Sequence, residues 1–176
     1  MMHATADRPQ FPEGYGVPTT NDGLLPWRHA RERLESAQIY WVASVRPDLR
    51  PHMSPIWGVW LDDLLFFDGS PASRRGQNIA QNPAIAVSVE SGGAGKDVVF
   101  LEGRAYQVRG TDLDPALTVR LAQAYAAKYA ADNYAPAADS WNNGGLYRVQ
   151  PQIVIAWTAL NTDPTRWTFD PHAAAA

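Results

Sequence analysis

IYWVASVRPDLRPHMSPIWGVWLDDLLFFDGSPASRRGQNIAQNPAIAVSVES, residues 39–91, is the stretch of sequence that decides the fold. It opens with a β-branched and aromatic run over 39–45, and the Pro-Asp pair that follows is typical of a turn between two extended runs. We predict a second strand over 52–60, with successive side chains facing opposite ways. Two aspartates then turn the chain into a third strand, LLFFD. The stretch therefore begins as hairpin-connected strands.

A single short helix interrupts these strands. Residues 73–81 have helical composition and stop at Asn82-Pro83, because the residue before a proline disfavours further helix. The strand AIAVSVE follows, then a glycine-rich loop and a long β run, DVVFLEGRAYQV, in which Gly103 indicates a bulge or bend. The last two strands are YRVQPQIVIAW and TRWTF. This order of elements predicts an antiparallel barrel.

Two further helices are expected to flank the barrel. Pro26 suits a first helical position and an apolar stripe follows it, which predicts a short amphipathic helix over 26–37. An alanine-rich stretch predicts a longer helix over 112–129, with Asp112 or Asp114 as its cap.

The chain length of 176 residues suits a single domain, which we place at residues 26–170. Residues 1–25 are rich in Pro, Gly, Asp and Thr and show no sustained periodicity, so we expect an N-terminal arm that is free to order against a partner subunit. Residues 171–176 form a short C-terminal tail.

Composition excludes several classes of protein. The chain contains no cysteine, which rules out disulfides, thiolate metal sites and a cysteine nucleophile. No apolar run approaches the length of a membrane span, and we expect a cytoplasmic protein with no membrane partner. A net charge of −3 offers no broad positive field for a phosphate backbone, so nucleic acid is not an expected partner.

Motifs for catalysis by side chains are missing, and we predict no catalytic residue and no metal site. Among the four histidines, His52 alone lies on a central strand; it is equally compatible with a satisfied strand histidine and with a ligand contact. Ser73, Arg74 and Arg75 open a helix directly after a strand, where a hydroxyl, two guanidinium groups and free backbone N–H groups suit a phosphate. The alternative is a pair of solvated surface arginines, although positive charge at a helix start opposes the dipole.

A surface for a flat heterocycle is predicted beside this anion site. It comprises the run from Ser54 to Val59 and the run from Phe67 to Gly69, where Gly58 and Gly69 would let a ring approach the main chain. The alternative interpretation of the same residues is barrel core with a turn glycine.

The order of elements over residues 36–169 resembles the pyridoxamine-phosphate-oxidase-like split-barrel family, in particular its flavin/deazaflavin oxidoreductase branch. The residues that carry the resemblance are the opening stretch, then VVFLEGRA, YRVQPQIVIAW and the terminal TRWTF. The resemblance implies a mainly β (α+β) fold, a split β-barrel of the FMN-binding type with short flanking helices. It also implies a homodimer with two cofactor sites at the subunit interface.

Site residues follow from the resemblance position by position. Contacts to the flavin or deazaflavin ring are implied for Ser54, Pro55, Ile56, Trp57 and Gly58, with Val59 at the end of the same run. Contacts to the phosphate are implied for Asp68, Gly69, Ser73, Arg74, Arg75 and Asn78, with Arg75 where the family often has a lysine. Contacts from the other subunit are implied for Lys96 to Val99, Lys96 and Val98 among them, and for the region of Trp157 and Trp167.

The resemblance also shapes the expected function. The C-terminal strands lack the Arg- and His-containing substrate signature of pyridoxamine phosphate oxidase, so oxidation of vitamin B6 is not implied. The runs PIWGVWLD and TRWTF resemble the branch that uses coenzyme F420, which implies hydride transfer between this deazaflavin and a small conjugated organic substrate. A proton could come from solvent, a tyrosine or His52. Two alternatives stay open: an FMN-dependent reductase or oxidase, and a non-catalytic carrier of a flavin, deazaflavin or tetrapyrrole.

Overall fold

The computed structural model describes residues 4–169. Its strands are β1 (Ala4–Asp7), β2 (Tyr40–Val45), β3 (Pro51–Ile56), β4 (Val59–Leu61), β5 (Leu64–Asp68), β6 (Ala84–Glu90), β7 (Val98–Val108), β8 (Leu146–Trp157) and β9 (Thr165–Phe169). Its α-helices are α1 (Trp27–Ser36), α2 (Arg74–Gln81) and α3 (Pro115–Lys128). The predicted elements are therefore all present, and no helix within the described range is long and apolar enough to cross a membrane.

The strands form one antiparallel sheet that curls into an incomplete barrel. The main path runs β1-β9-β8-β7-β6-β2-β3, and β5 pairs with β8 on one side and with β4 on the other. Within the described residues β3 pairs only with β2, so a gap separates β3 from β5. Pro51 and Pro55 suit this free edge of β3, because proline cannot donate to a strand ladder. The structure confirms the predicted split-barrel fold.

Two apolar clusters stabilise the barrel. The larger one fills the interior with fully buried side chains, Tyr40, Val42, Phe67, Leu101 and Val149 among them. The smaller cluster lies beneath α3, where Leu121 and Tyr125 pack against Val59 and Phe66. The helix α1 closes the interior through the buried residues Ala30 and Leu34.

The prediction of one continuous strand over 52–60 is wrong, because Trp57 and Gly58 interrupt it and separate β3 from β4. The cause is the Tyr129 hydroxyl, which accepts a hydrogen bond from the Gly58 N–H at 2.8 Å and lies 2.9 Å from the Gly58 carbonyl oxygen as a donor. A Cβ atom at Gly58 would lie 2.8 Å from the Phe66 carbonyl oxygen. The bend therefore depends on Tyr129, the residue that ends α3 as its C-cap, and on a glycine that lets β5 approach.

The predicted helix over 112–129 begins later than expected. Residues Gly110–Asp112 form a 3₁₀ turn, and α3 begins at Pro115. Of the two aspartates considered as caps, Asp114 takes this role, since its carboxylate accepts a hydrogen bond from the Ala116 N–H at 2.8 Å.

The N-terminal arm contains regular structure, which its composition did not predict. The strand β1 pairs with β9, and the Arg166 guanidinium binds the Asp7 carboxylate with two hydrogen bonds of 2.8 and 2.6 Å. The next residue, Arg8, is buried and donates to the carbonyl oxygens of Thr20, Asp22 and Pro164. Arg8 thus fixes the loop after β1 against the same chain's barrel.

The bulge predicted at Gly103 is confirmed. The β7–β8 pairing shifts register between Glu102 and Gly103, where a Cβ atom would lie 2.3 Å from the Gln150 carbonyl oxygen. The two longest strands cross here with their backbones in contact, so no side chain fits at this point.

We expect Gly103→Ala to destabilise the protein by about 2 kcal/mol, because the extra methyl group must push apart two paired backbones. Chemical denaturation monitored by tryptophan fluorescence measures the change in the free energy of unfolding. Gly69→Ala is the matched control, since its Cβ would meet no backbone atom and only the end of the Arg75 side chain, at 3.1 Å. Equal losses in the two variants would contradict the assignment of Gly103 to backbone contact.

Candidate functional site

The helix α2 packs against β2 and β7, and its Arg75 side chain reaches the gap between β3 and β5. It begins at Arg74 because the Ser73 hydroxyl caps it, accepting a hydrogen bond from the Gly76 N–H at 3.1 Å. A Cβ atom at Gly76 would lie 2.7 Å from both the Pro71 carbonyl oxygen and the Tyr147 hydroxyl. The absence of a side chain at Gly76 therefore lets the start of α2 approach the turn at Pro71 and the Tyr147 hydroxyl.

Arg75 spans the gap. Its Nη1 donates to the Ser54 hydroxyl at 2.6 Å, and its guanidinium carbon lies 5.2 Å from the centre of the Phe67 ring. Phe67 stacks on Tyr147 with ring centres 4.9 Å apart, an arrangement set by their pairing between β5 and β8. Burial lowers the pKa of the Arg75 guanidinium, an effect that Tyr147 and Asp68 oppose. The result is a cation held over two stacked rings.

A second contact ties α2 to the β2–β3 hairpin. The buried Asn78 amide donates to the Ser44 hydroxyl at 3.0 Å. His52 lies opposite Ser44 in the hairpin. Burial lowers the pKa of the His52 imidazole, and the positive charges of Arg46, Arg75 and Arg74 lower it further. Several cationic side chains thus face one neutral histidine.

This layer between α2 and the sheet holds most of the unsatisfied polar atoms found in residues 4–169. Five of the seven buried side-chain polar atoms without a partner lie here: Arg46 Nε, His52 Nδ1, Arg75 Nε, Asn78 Oδ1 and Tyr147 Oη. A buried donor left without a partner costs about 1–3 kcal/mol. An anionic group with several oxygen atoms would satisfy the arginine and tyrosine donors, and the surrounding positive charge favours it. The chemistry of the layer therefore fits a phosphate.

A profile of the pyridoxamine 5'-phosphate oxidase family matches residues 27–158. The chain belongs to this family. The match begins in α1 and extends just past β8, so it includes the gap, α2 and the polar layer. None of the curated proteins compared with the chain matches it.

Solved structures share the fold at low sequence identity. A conserved hypothetical protein from Mycobacterium tuberculosis superposes with a TM-score of 0.64 at 19% identity, covering 81% of this chain and 90% of that one. An F420 reductase superposes with a TM-score of 0.52 at 24% identity, covering 82% and 98%. A FAD-binding protein from Mesorhizobium loti superposes with a TM-score of 0.56 at 18% identity, covering 83% and 96%. At these identities the likeness concerns the fold.

The structure brings part of the predicted phosphate set together in this family member. Ser73 and Arg74 open α2, Arg75 and Asn78 point into the polar layer, and Gly69 lies against the end of the Arg75 side chain. The Ser73 hydroxyl oxygen serves as the helix cap, which leaves its proton free to donate.

Asp68 has a different environment from the one expected of a phosphate contact. Its Oδ2 atom accepts hydrogen bonds from the Tyr134 hydroxyl and, at 3.4 Å, from the Trp141 indole. A carboxylate also repels a phosphate. The contact implied for Asp68 stays a prediction that its hydrogen bonds do not favour. The Gly69 N–H is also engaged, since it donates to the Gly145 carbonyl oxygen at 2.9 Å.

The predicted ring contacts divide between the edge of β3 and the core. Ser54 faces the polar layer and Pro55 is exposed, whereas the side chains of Ile56 and Val59 are buried. Trp57 is half-buried and stacks on Tyr129 at 4.8 Å. The Gly58 N–H donates to the Tyr129 hydroxyl, so this glycine stabilises the bend between β3 and β4 and its N–H does not contact a ring.

Among the residues expected to contact a partner subunit, some are exposed and others are buried in the chain's own core. Lys96 is exposed, and Val98 is half-buried at the start of β7, beside Glu90 and Trp157 and away from α2. Val99 and Trp167 are buried in the chain's own core, where Trp167 packs against Trp27 at 5.4 Å. Their side chains cannot reach another subunit in this conformation.

Tyr147, a buried donor, escaped the sequence analysis, and Phe67 was predicted as part of a ring surface and not as the platform for Arg75. Both belong to strands that were predicted, and the pairing of β5 with β8 brings them together. Their separation in sequence hides this pairing, and each ring alone indicates barrel core.

We expect inorganic phosphate to raise the pKa of His52, because a negative charge offsets the arginines that hold it below its usual value of 6.5. NMR titration of the imidazole resonances, with and without phosphate, measures the shift. His29 is the internal control, since burial also lowers its pKa but its partner is Asp97, on the far side of the barrel interior. A phosphate-independent His52 titration would contradict the anion site.

Proposed function

We propose that this family member is an oxidoreductase that binds coenzyme F420 and acts on a small conjugated organic substrate. The observation that carries the proposal is the set of unpaired buried donors around Arg75, which fits the phosphate of a flavin-type cofactor. A bound deazaflavin supplies the hydride chemistry, and the protein contributes binding, orientation and electrostatics.

The proposed phosphate contacts are the cations and hydroxyls that meet in the gap. Arg75 would provide two donors, and the Ser54 and Tyr147 hydroxyls lie next to it. Arg74 is exposed at the start of α2 and would approach from the solvent side, together with the first backbone N–H groups of the helix. The ring would then lie along the free edge of β3, near Ser54 and Pro55.

The rest of the site supports orientation more than proton transfer. Trp57 and Tyr129 form a stacked wall at the end of β3, and such a wall excludes water from one side of a bound ring. His52 is held neutral and its Nδ1 is buried, so we expect protons to come from solvent. The proposal needs no catalytic side chain, as the sequence also predicted.

FMN is the second candidate cofactor, since its phosphate would use the same donors. An F420 reductase and a FAD-binding protein of known structure share this fold, and this supports both a deazaflavin and a flavin as candidate cofactors. The runs PIWGVWLD and TRWTF favour F420. Parallel fluorescence titrations with F420 and FMN discriminate between them, and tight binding of FMN alone would move the protein to the flavin branch.

The Arg74→Ala/Arg75→Ala double variant should bind F420 at least about tenfold more weakly, because each charge-assisted contact is worth about 1.5–3 kcal/mol. Fluorescence titration measures the dissociation constant. Arg28→Ala/Arg31→Ala removes the same charge from the exposed side of α1, where both arginines make surface ion pairs, and should leave the affinity unchanged. Equal affinity in the two double variants would contradict the assignment of Arg74 and Arg75 to phosphate binding.

We also propose that the protein is a homodimer that uses the outer face of the sheet. Trp41 on β2 is 48% exposed and Met53 on β3 is 63% exposed. The pairing places Trp41 beside Pro55 and Ser88, and Met53 beside Ala43. Exposed aromatic and methionine side chains in one patch are typical of subunit interfaces. The same face borders the free edge of β3, so a second copy would lie next to the proposed ring site.

Trp41→Glu should shift the protein from dimer to monomer, because a buried unpaired carboxylate at the centre of the patch opposes association. Size-exclusion chromatography with light scattering measures the mass. Leu49→Glu is the matched control, since Leu49 is 80% exposed at the β2–β3 turn and outside the patch. A dimer that survives Trp41→Glu, or a monomeric parent protein, would exclude this interface.

A further inference from the structure

An open cavity of about 700 Å³ is lined by Asp68 and Gly69 but not by Arg75, and the phosphate contacts proposed above do not use it. It is bounded by the end of β5, by the turn that follows, and by the segment 133–145 that joins α3 to β8. Its apolar walls include Tyr134, Pro71 and Pro136, and its polar walls include Ser140 and Asn143.

Asp68 gives this cavity its charge. Both of its hydrogen-bond donors, the Tyr134 hydroxyl and the Trp141 indole, bind Oδ2. Among the described residues Oδ1 accepts no hydrogen bond. No lysine, arginine or histidine of the described chain lines the cavity. The carboxylate therefore faces the cavity with one oxygen free and with no cation beside it in the wall.

The two donors to Oδ2 also fix the carboxylate in place. Burial raises the pKa of the Tyr134 hydroxyl, and its hydrogen bond to Asp68 raises it further, so the hydroxyl keeps its proton and continues to donate. Trp141 is 3% exposed and packs against Tyr125 at 5.8 Å, which holds the indole rigidly. An oriented carboxylate loses little conformational entropy when it binds a ligand.

We propose that this cavity binds an organic ammonium group carried on an apolar or aromatic body. The ammonium would donate to the free Oδ1 of Asp68, and the body would lie against Tyr134, Pro71 and Pro136. A carboxylate beside an aromatic ring is a favourable environment for a desolvated cation. The site differs from the anion site in charge, and it does not require the proposed cofactor.

Arg75 connects the two sites. It lies against Gly69, the residue after Asp68. The two charges interact, since the Asp68 carboxylate raises the pKa of the Arg75 guanidinium against the lowering caused by burial. In the free protein the Arg75 charge partly offsets the carboxylate. An anion bound to Arg75 would remove that offset, so anion binding and ammonium binding should favour each other.

The experiment uses 2-phenylethylamine, which is an ammonium ion at neutral pH, and 2-phenylethanol as its uncharged match. Calorimetric titration of the full chain should show the alcohol binding at least about tenfold more weakly than the amine, the loss expected for one charge-assisted hydrogen bond. The indole N–H resonance of Trp141 should shift with the amine. Equal affinity for the two compounds, or no binding of either, would overturn the proposal.

Variants place the effect at Asp68. Asp68→Asn should bind the amine only as weakly as the alcohol. Tyr134→Phe, which keeps the carboxylate and removes one of the two donors to its Oδ2, should retain the preference for the amine. Asp62→Asn is the matched control, because Asp62 pairs with Arg120 away from the cavity. Arg75→Gln should weaken binding of the cofactor and not of the amine, so failure of one proposal is distinguishable from failure of the other. Amine binding that survives Asp68→Asn would overturn the site.

Discussion

The hydrogen bond between Arg75 and Ser54 joins two parts of the barrel that no strand ladder connects. It lies in the gap between β3 and β5, which the Arg75 side chain reaches from α2. A closed barrel would satisfy these edges with backbone hydrogen bonds, whereas here side chains take that role. The same guanidinium that closes the gap is the main donor of the candidate phosphate site. The site and the closure of the fold therefore depend on one side chain.

The gap itself adjoins a bend that Tyr129, the C-cap of α3, holds in place. The Tyr129 hydroxyl hydrogen-bonds to the backbone of Gly58, where the chain turns from β3 into β4. On that side β5 pairs with β4 and not with β3. Next to this tyrosine, Lys128 donates to the Tyr40 hydroxyl at 2.9 Å, and burial lowers the pKa of the lysine to about 8. Partial burial of an ammonium is costly, and the charge of Glu35 offsets only part of that cost, so the packing that places Tyr129 must outweigh the remainder.

Local patterns were enough to predict most of the elements and the start of α2. Alternation located the strands, the Asn82-Pro83 pair located the end of α2, and Gly103 located the bulge. The features that were missed depend on contacts between distant parts of the chain. Nothing near Gly58 reveals the hydroxyl of Tyr129, and the composition before Arg8 does not reveal a strand that pairs with β9. In the site, the cationic residues were recognisable by type, whereas Tyr147 required the β5–β8 register and Asp68 required the position of the segment 133–145.

The pairing of β1 with β9 has a consequence for how the chain is made. The first strand of the sheet hydrogen-bonds to the last, so the outermost ladder joins elements from opposite ends of the described sequence. During synthesis β1 leaves the ribosome first, while β9 follows only after every other strand and helix. The barrel can assemble before this ladder exists, and the ladder, together with the Arg8 contact to Pro164, is added afterwards. Until β1 pairs with it, β9 presents a free edge. In this interval, pairing of β9 with another nascent copy competes with its pairing to β1.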